Sequence, residues 1–169
     1  RGRSFKLEKL AALADPSISF LSIQKGYGSD ELEDCTFKDH FVSCQETVNK
    51  TWDFLETAAI IANCDLVITS DTYVAHLAGG MGKKTWLLLH QVPDWRWGLK
   101  GDKTFWYPSL RIFRQKEAGN WDEVIEHVRR ALKAEFPTYS NKTEERADRP
   151  FSAKQQHKHH ILAPISIGE

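Results

Sequence analysis

The residues of this chain best suited to chemistry stand together: Ser70, Asp71, Thr72, Tyr73 and, one helical turn on, His76. Hydroxyls, a carboxylate and an imidazole at this spacing suit an oxyanion at the start of a helix. Ser, Asp and Thr hydrogen-bond the free amides of a helix start. Those amides and the helix dipole attract phosphate. His76 can donate to a phosphate oxygen, more strongly when protonated. Asp71, itself an anion, suits capping those amides better than meeting a phosphate.

The elements around these residues are legible. Leu66, Val67 and Ile68 form a short β-branched apolar run, which predicts a buried parallel strand. Val74, Leu77, Ala78 and Met81 then recur at helical spacing. The unit is strand, polar turn, helix, with the turn at the carboxyl end of the strand, where open α/β sheets place their ligands. Helices are predicted at 6–14, 29–34, 52–63 and from Asn120, and strands at 18–23, 84–90 and 110–113, with a short apolar piece at 41–43. An irregular stretch covers 91–108. Alternating strands and helices predict an α/β fold, a parallel sheet with helices on both faces, over residues 1–136. Residues 137–160 are polar and read as a linker, a flexible tail to the domain. Residues 161–169 are apolar again and read as the opening strand of a further domain.

Composition excludes several classes. Lys plus Arg and Asp plus Glu both number 23 in 169 residues, so bulk charge does not favour nucleic acid or a membrane surface. Cys35, Cys44 and Cys64 show neither paired nor metal-ligand spacing, and no signal peptide is visible, which fits a reducing cytoplasm. The run His157-Lys158-His159-His160 reads as a solvated segment more readily than as a metal site. Gly26-x-Gly28 lacks the third glycine of a dinucleotide turn, and no P-loop is present. This argues against an unrelated nucleotide-dependent enzyme on a Rossmann-like sheet. No metal or cofactor is expected.

Asp71-Thr72-Tyr73-Val74-Ala75-His76, followed by Leu-Ala-Gly-Gly-Met-Gly, resembles the Asp-Thr-x-x-x-His signature of heptosyltransferase-type glycosyltransferases. Bacterial members coupled to tetratricopeptide repeats are more similar still. They are matched through Ser22-Ile23-Gln24-Lys25-Gly26, through 57–62, through Val92-Pro93-Asp94-Trp95-Arg96-Trp97, and through 106–115. The similarity covers about residues 3–136. It implies the carboxy-terminal, Rossmann-like half of a GT-B glycosyltransferase, which binds a nucleotide-sugar donor without a metal. The acceptor would be a glycan, a lipid-linked glycan or a protein. Tetratricopeptide repeats would lie upstream in the same chain, with the protein in the cytoplasm, including the inner membrane face.

By resemblance Asp71, Thr72 and His76 match donor-contacting positions, with Ser70, Tyr73, Gln24, Lys25 and Gly26 around the same cleft. Tyr73 departs from the smaller residue usual there. Asp94, Trp95, Arg96 and Trp97 have two readings: a structural Trp–Arg stack, or a lid on the donor. The resemblance implies that the catalytic base, the first strand of this domain and its glycine-containing loop precede Arg1, so no catalytic residue is named here. Residues 161–169 also look like the start of a small bacterial domain of uncharacterised function. The alternative function is a degenerate, non-catalytic scaffold or interaction domain within a repeat-containing protein.

Overall fold

The computed structural model describes residues 5–24, 28–50, 53–137 and 158–163. The strands are β1 (Ile18–Leu21), β2 (Leu66–Ser70), β3 (Thr85–Leu89), β4 (Leu110–Arg114) and β5 (His159–Leu162). They form one parallel sheet in the order β1-β5-β2-β3-β4. The helices are α1 (Glu31–Asp34), α2 (Gln45–Lys50), α3 (Phe54–Ala62), α4 (Tyr73–Gly80) and α5 (Trp121–Glu135). The fold is a Rossmann-like α/β sheet with helices around it.

Side-chain alternation decides which helix covers which face. Leu66, Ile68, Trp86, Leu88 and Ile161 pack in one cluster with Val124, Val128 and Leu132 of α5 and with the 3-10 turn Leu7–Leu13. Val67 and Leu162 turn the other way, onto Ile61 of α3 and Val74 and Ala78 of α4. Leu87 and Leu89 meet Ala75, Trp97, Leu110 and Ile112. Both faces are therefore dry, which is why β2 and β3 are continuous apolar runs. The steps from β1 to β4 put α3 and α4 on one face. The return from β4 to β5 puts α5 on the other, the pattern right-handed crossovers produce.

The tail departs most from the sequence expectation. Residues 137–160 read as linker and 161–169 as a further domain, yet His159–Leu162 lie inside this sheet, between β1 and β2. Ile161, Leu162 and Ala163 are at most 2% exposed. Asp65 and His160 exchange two hydrogen bonds of 2.8 Å, and the Ala163 amide donates to the Leu21 carbonyl. Polarity hid the boundary, because His159 and His160 occupy the strand's less buried amino end, with the His159 ring 4.7 Å from Phe136. Residues 138–157, including His157, and 164–169 lie outside the described residues.

Smaller departures are local. Residues 7–13 form a 3-10 turn rather than an α-helix, with the Leu7 amide donating to the Glu31 carboxylate at 2.7 Å. Helix α2 was not expected; Val48 is buried in it, while Glu46, Thr47 and Lys50 are exposed. Phe41 makes only an isolated bridge to Phe20. Among the described residues, no helix is long and apolar enough to cross a membrane.

The cysteines are free thiols. Burial pushes the Cys64 thiol up to about 11, and its Sγ sits 3.4 Å from the Ile60 carbonyl. At pH 8 about one in a thousand such thiols is ionised. Iodoacetamide at pH 8 should therefore modify the part-buried Cys44 well before Cys64. Peptide mapping by mass spectrometry checks the order, which should collapse in denaturant.

Candidate functional site

Parallel strands bring their carboxyl ends to one edge. At the end of β2, Thr72 is the extended residue (φ −135°, ψ 174°) from which α4 starts. Its amide donates to the Ser70 carbonyl at 2.8 Å and its carbonyl accepts from Ala75 at 3.1 Å. Its side chain does not cap the helix. Instead Thr72 Oγ1 lies 3.2 Å from Thr69 Oγ1, whose own hydrogen goes to the Ser70 carbonyl at 3.2 Å. Thr69 has one hydrogen to give, so Thr72 is the donor of the pair. The first amides of α4 are left without a side-chain cap and with the positive end of the helix dipole.

The other residues of the motif divide. Ser70 shares the face of Leu66 and Ile68, so its side chain falls on the side away from α4. It is 1% exposed and its Oγ has no partner among the described residues. Asp71 is half-buried at the turn. Tyr73 is exposed and meets Phe54 of α3 edge-on, ring centres 5.3 Å apart. The pair forms an aromatic flank beside the helix start. Gln24 lies just past β1, its amide donating to Ser22 Oγ at 3.2 Å. With β5 between β1 and β2, Gln24 and Asp71 follow strands that are not neighbours. Lys25 and Gly26 lie outside the described residues.

His76 is held rather than free. Its ring stacks on Trp97 at 5.1 Å and 25°, and its Nδ1 is 3.0 Å from the Tyr107 hydroxyl. The Tyr107 ring lies on Gly79, where a Cβ would come within 2.5 Å of its Cγ. Gly79 thus belongs to the contact, whereas Gly82 (φ 68°) serves to end the helix.

The Asp94–Trp97 segment separates into two parts. Asp94 accepts from the Arg96 amide at 3.1 Å, Trp97 is 2% exposed against His76, and Trp95 is 76% exposed. The Arg114 guanidinium donates to the Trp97, Gly98 and Gly101 carbonyls, and Trp106 Nε1 donates to the Arg96 carbonyl. The anchor is Trp97 with Arg114, while Trp95 and Arg96 face solvent. Tyr107, Gly79, Thr69 and Arg114 were not singled out from sequence as site residues. Tyr107 and Gly79 lay in matched blocks without a role.

Among the described residues, no group of three His, Cys, Asp or Glu side chains could hold a metal ion. A cavity of about 310 Å³ lies at the opposite edge of the sheet, lined by Asp15, Ile18, Arg129 and Lys133 among others, and shares no residue with the start of α4.

No family model matches the chain, and no solved structure matches it. The chain is 29% identical over 125 residues to Protein FlbA of Caulobacter vibrioides, a match covering 72% of this chain. The matched region amounts to 20% of FlbA, so the chain spans about a fifth of that relative's length.

Proposed function

We propose that this chain is the donor-binding part of an inverting glycosyltransferase that acts on a glycan, lipid-linked or protein acceptor. The observation that carries the reading is the start of α4. It is an uncapped helix terminus at the carboxyl edge of a parallel sheet, beside the place where strand order departs from chain order. The diphosphate of a nucleotide sugar would sit on the first amides of α4, with His76 as a further donor. Thr72 could join after turning its hydroxyl away from Thr69. The exposed Tyr73–Phe54 pair offers a surface for a planar base.

In an inverting transfer the acceptor hydroxyl forms the new bond to the anomeric carbon as the sugar–phosphate bond breaks. The diphosphate leaves with the negative charge that these donors stabilise. The hydroxyl proton goes to a base in an acceptor domain outside this chain. Tetratricopeptide repeats elsewhere in the same polypeptide would present the acceptor.

A thermal-shift screen of the 169-residue chain with ADP, GDP, UDP and CMP and their sugar conjugates tests the reading. One nucleotide at a hundred times its Kd should add about 2.7 kcal/mol, or roughly 5–11 °C for a domain of this size. His76→Ala should remove most of the shift and Thr72→Ala part of it. No shift for any nucleotide, with the domain folded, would overturn it. The scaffold reading would then lead, since Trp95, Leu99 and Phe105 are 76%, 78% and 94% exposed on one loop and could receive another domain.

A further inference from the structure

We propose that Tyr107 is a positioning residue that sets the tautomer of His76, so that the neutral imidazole presents an Nε2–H donor toward the start of α4. The inference rests on the anion-binding reading of that helix terminus. A neutral imidazole carries one N–H, and which nitrogen bears it follows from the bond the other makes. Here Nδ1 is 3.0 Å from the Tyr107 hydroxyl, while Nε2 has no hydrogen-bond partner among the described residues. A phenol donates better than it accepts, and an imine nitrogen accepts well. Tyr107 O–H therefore donates to Nδ1, and the imidazole proton resides on Nε2.

Three contacts fix the arrangement. Trp97 covers one face of the imidazole at 5.1 Å and, being 2% exposed, cannot swing away without unpacking. Tyr107 meets the imidazole at 69°, edge to face. Gly79, three residues after His76 and so on the same side of α4, admits the Tyr107 ring against the helix backbone. The ring base is thus at Gly79 and its hydroxyl one turn nearer the helix start. Helical side chains lean toward their amino terminus, which carries His76 in the direction of the uncapped amides. The consequence is a third kind of donor at the site, one that needs no added proton.

Two measurements on the 169-residue chain test this. The first is two-bond proton–nitrogen NMR of the histidine rings at pH 8, with His76 assigned from His76→Ala. His76 should show a protonated Nε2 and an Nδ1 displaced by hydrogen bonding. Tyr107→Phe should remove the hydrogen-bond displacement of Nδ1 and let the Nδ1–H tautomer appear beside the Nε2–H form, and Gly79→Ala should do the same by displacing the ring. A protonated Nδ1 in the wild type, or an unchanged Nδ1 in Tyr107→Phe, would overturn the proposal. The second is the affinity for ADP, GDP and UDP. Tyr107→Phe should weaken the nucleotide that binds by about three- to ten-fold. The same substitution should cost nothing further on a His76→Ala background. Full additivity of the two losses would overturn the positioning role. If no nucleotide binds the wild type, the donor reading fails, and the NMR result still decides the tautomer by itself.

Discussion

Ile161→Asp is expected to leave the chain unfolded. Ile161 is fully buried in the strand between β1 and β2, paired with Phe20 on one side and Leu66 on the other. Its side chain packs in the cluster that also holds Ile68, Trp86 and Val128. A carboxylate there has no cation to pair with in that apolar cluster. Several kcal/mol of desolvation would be set against a total stability of about 5–15 kcal/mol. Loss of this interior strand would also strip the ladder partners of both neighbours. Ile161→Val, which removes one methylene, should cost only about 0.5–1.5 kcal/mol. Far-UV circular dichroism and urea titration of the two variants check this. A folded Ile161→Asp protein with a normal midpoint would mean that β5 is not part of the sheet in solution.

Trp97→Ala should be the most damaging single change in the 91–108 segment, with a loss of about 3–5 kcal/mol. For a domain of this size that is a fall in Tm of roughly 6–20 °C. Trp97 fills the space between His76, Tyr107 and the β3–β4 face, and its carbonyl is one of three held by Arg114. Trp97→Phe should be milder, since it keeps much of the packing and removes an indole N–H that has no partner among the described residues. Trp95→Ala, two residues away and 76% exposed, should change stability by no more than about 0.5 kcal/mol. Thermal and urea denaturation of the three variants gives the order. Equal losses at Trp95 and Trp97 would contradict the division between anchor and exposed face.

Local chemistry determined a good part of this protein before any fold was known. Apolar runs at 66–68 and 84–90, and the 3.6-residue period from Trp121 to Leu132, made the α/β class legible, because a strand buried on both faces must be apolar throughout. Asn120 caps its helix as its type predicts, accepting from the Glu123 amide, whereas Asp53, read as lying inside a helix, is the cap of α3 and accepts from the Glu56 amide. The turn at Thr69–Thr72 could likewise be placed at the carboxyl end of a strand from sequence alone.

What sequence could not supply was long-range partnership. His159–Leu162 has only two strongly apolar residues, so nothing local distinguishes an interior strand from the start of another domain; a vacant slot between β1 and β2 decides it. Thr72 looked like a capping residue, but its side chain caps no amide and instead turns to Thr69 on the preceding strand, to whose oxygen it donates. His76 looked like a free donor one turn into a helix. Its restraint comes from Trp97 and Tyr107, 21 and 31 residues away, and from a glycine that makes room for one ring. Periodicity reports which face a residue occupies. Hydrogen-bond direction, ring stacking and the filling of an empty strand position depend on groups remote in the chain, and only the packed tertiary structure brings those within reach of one another.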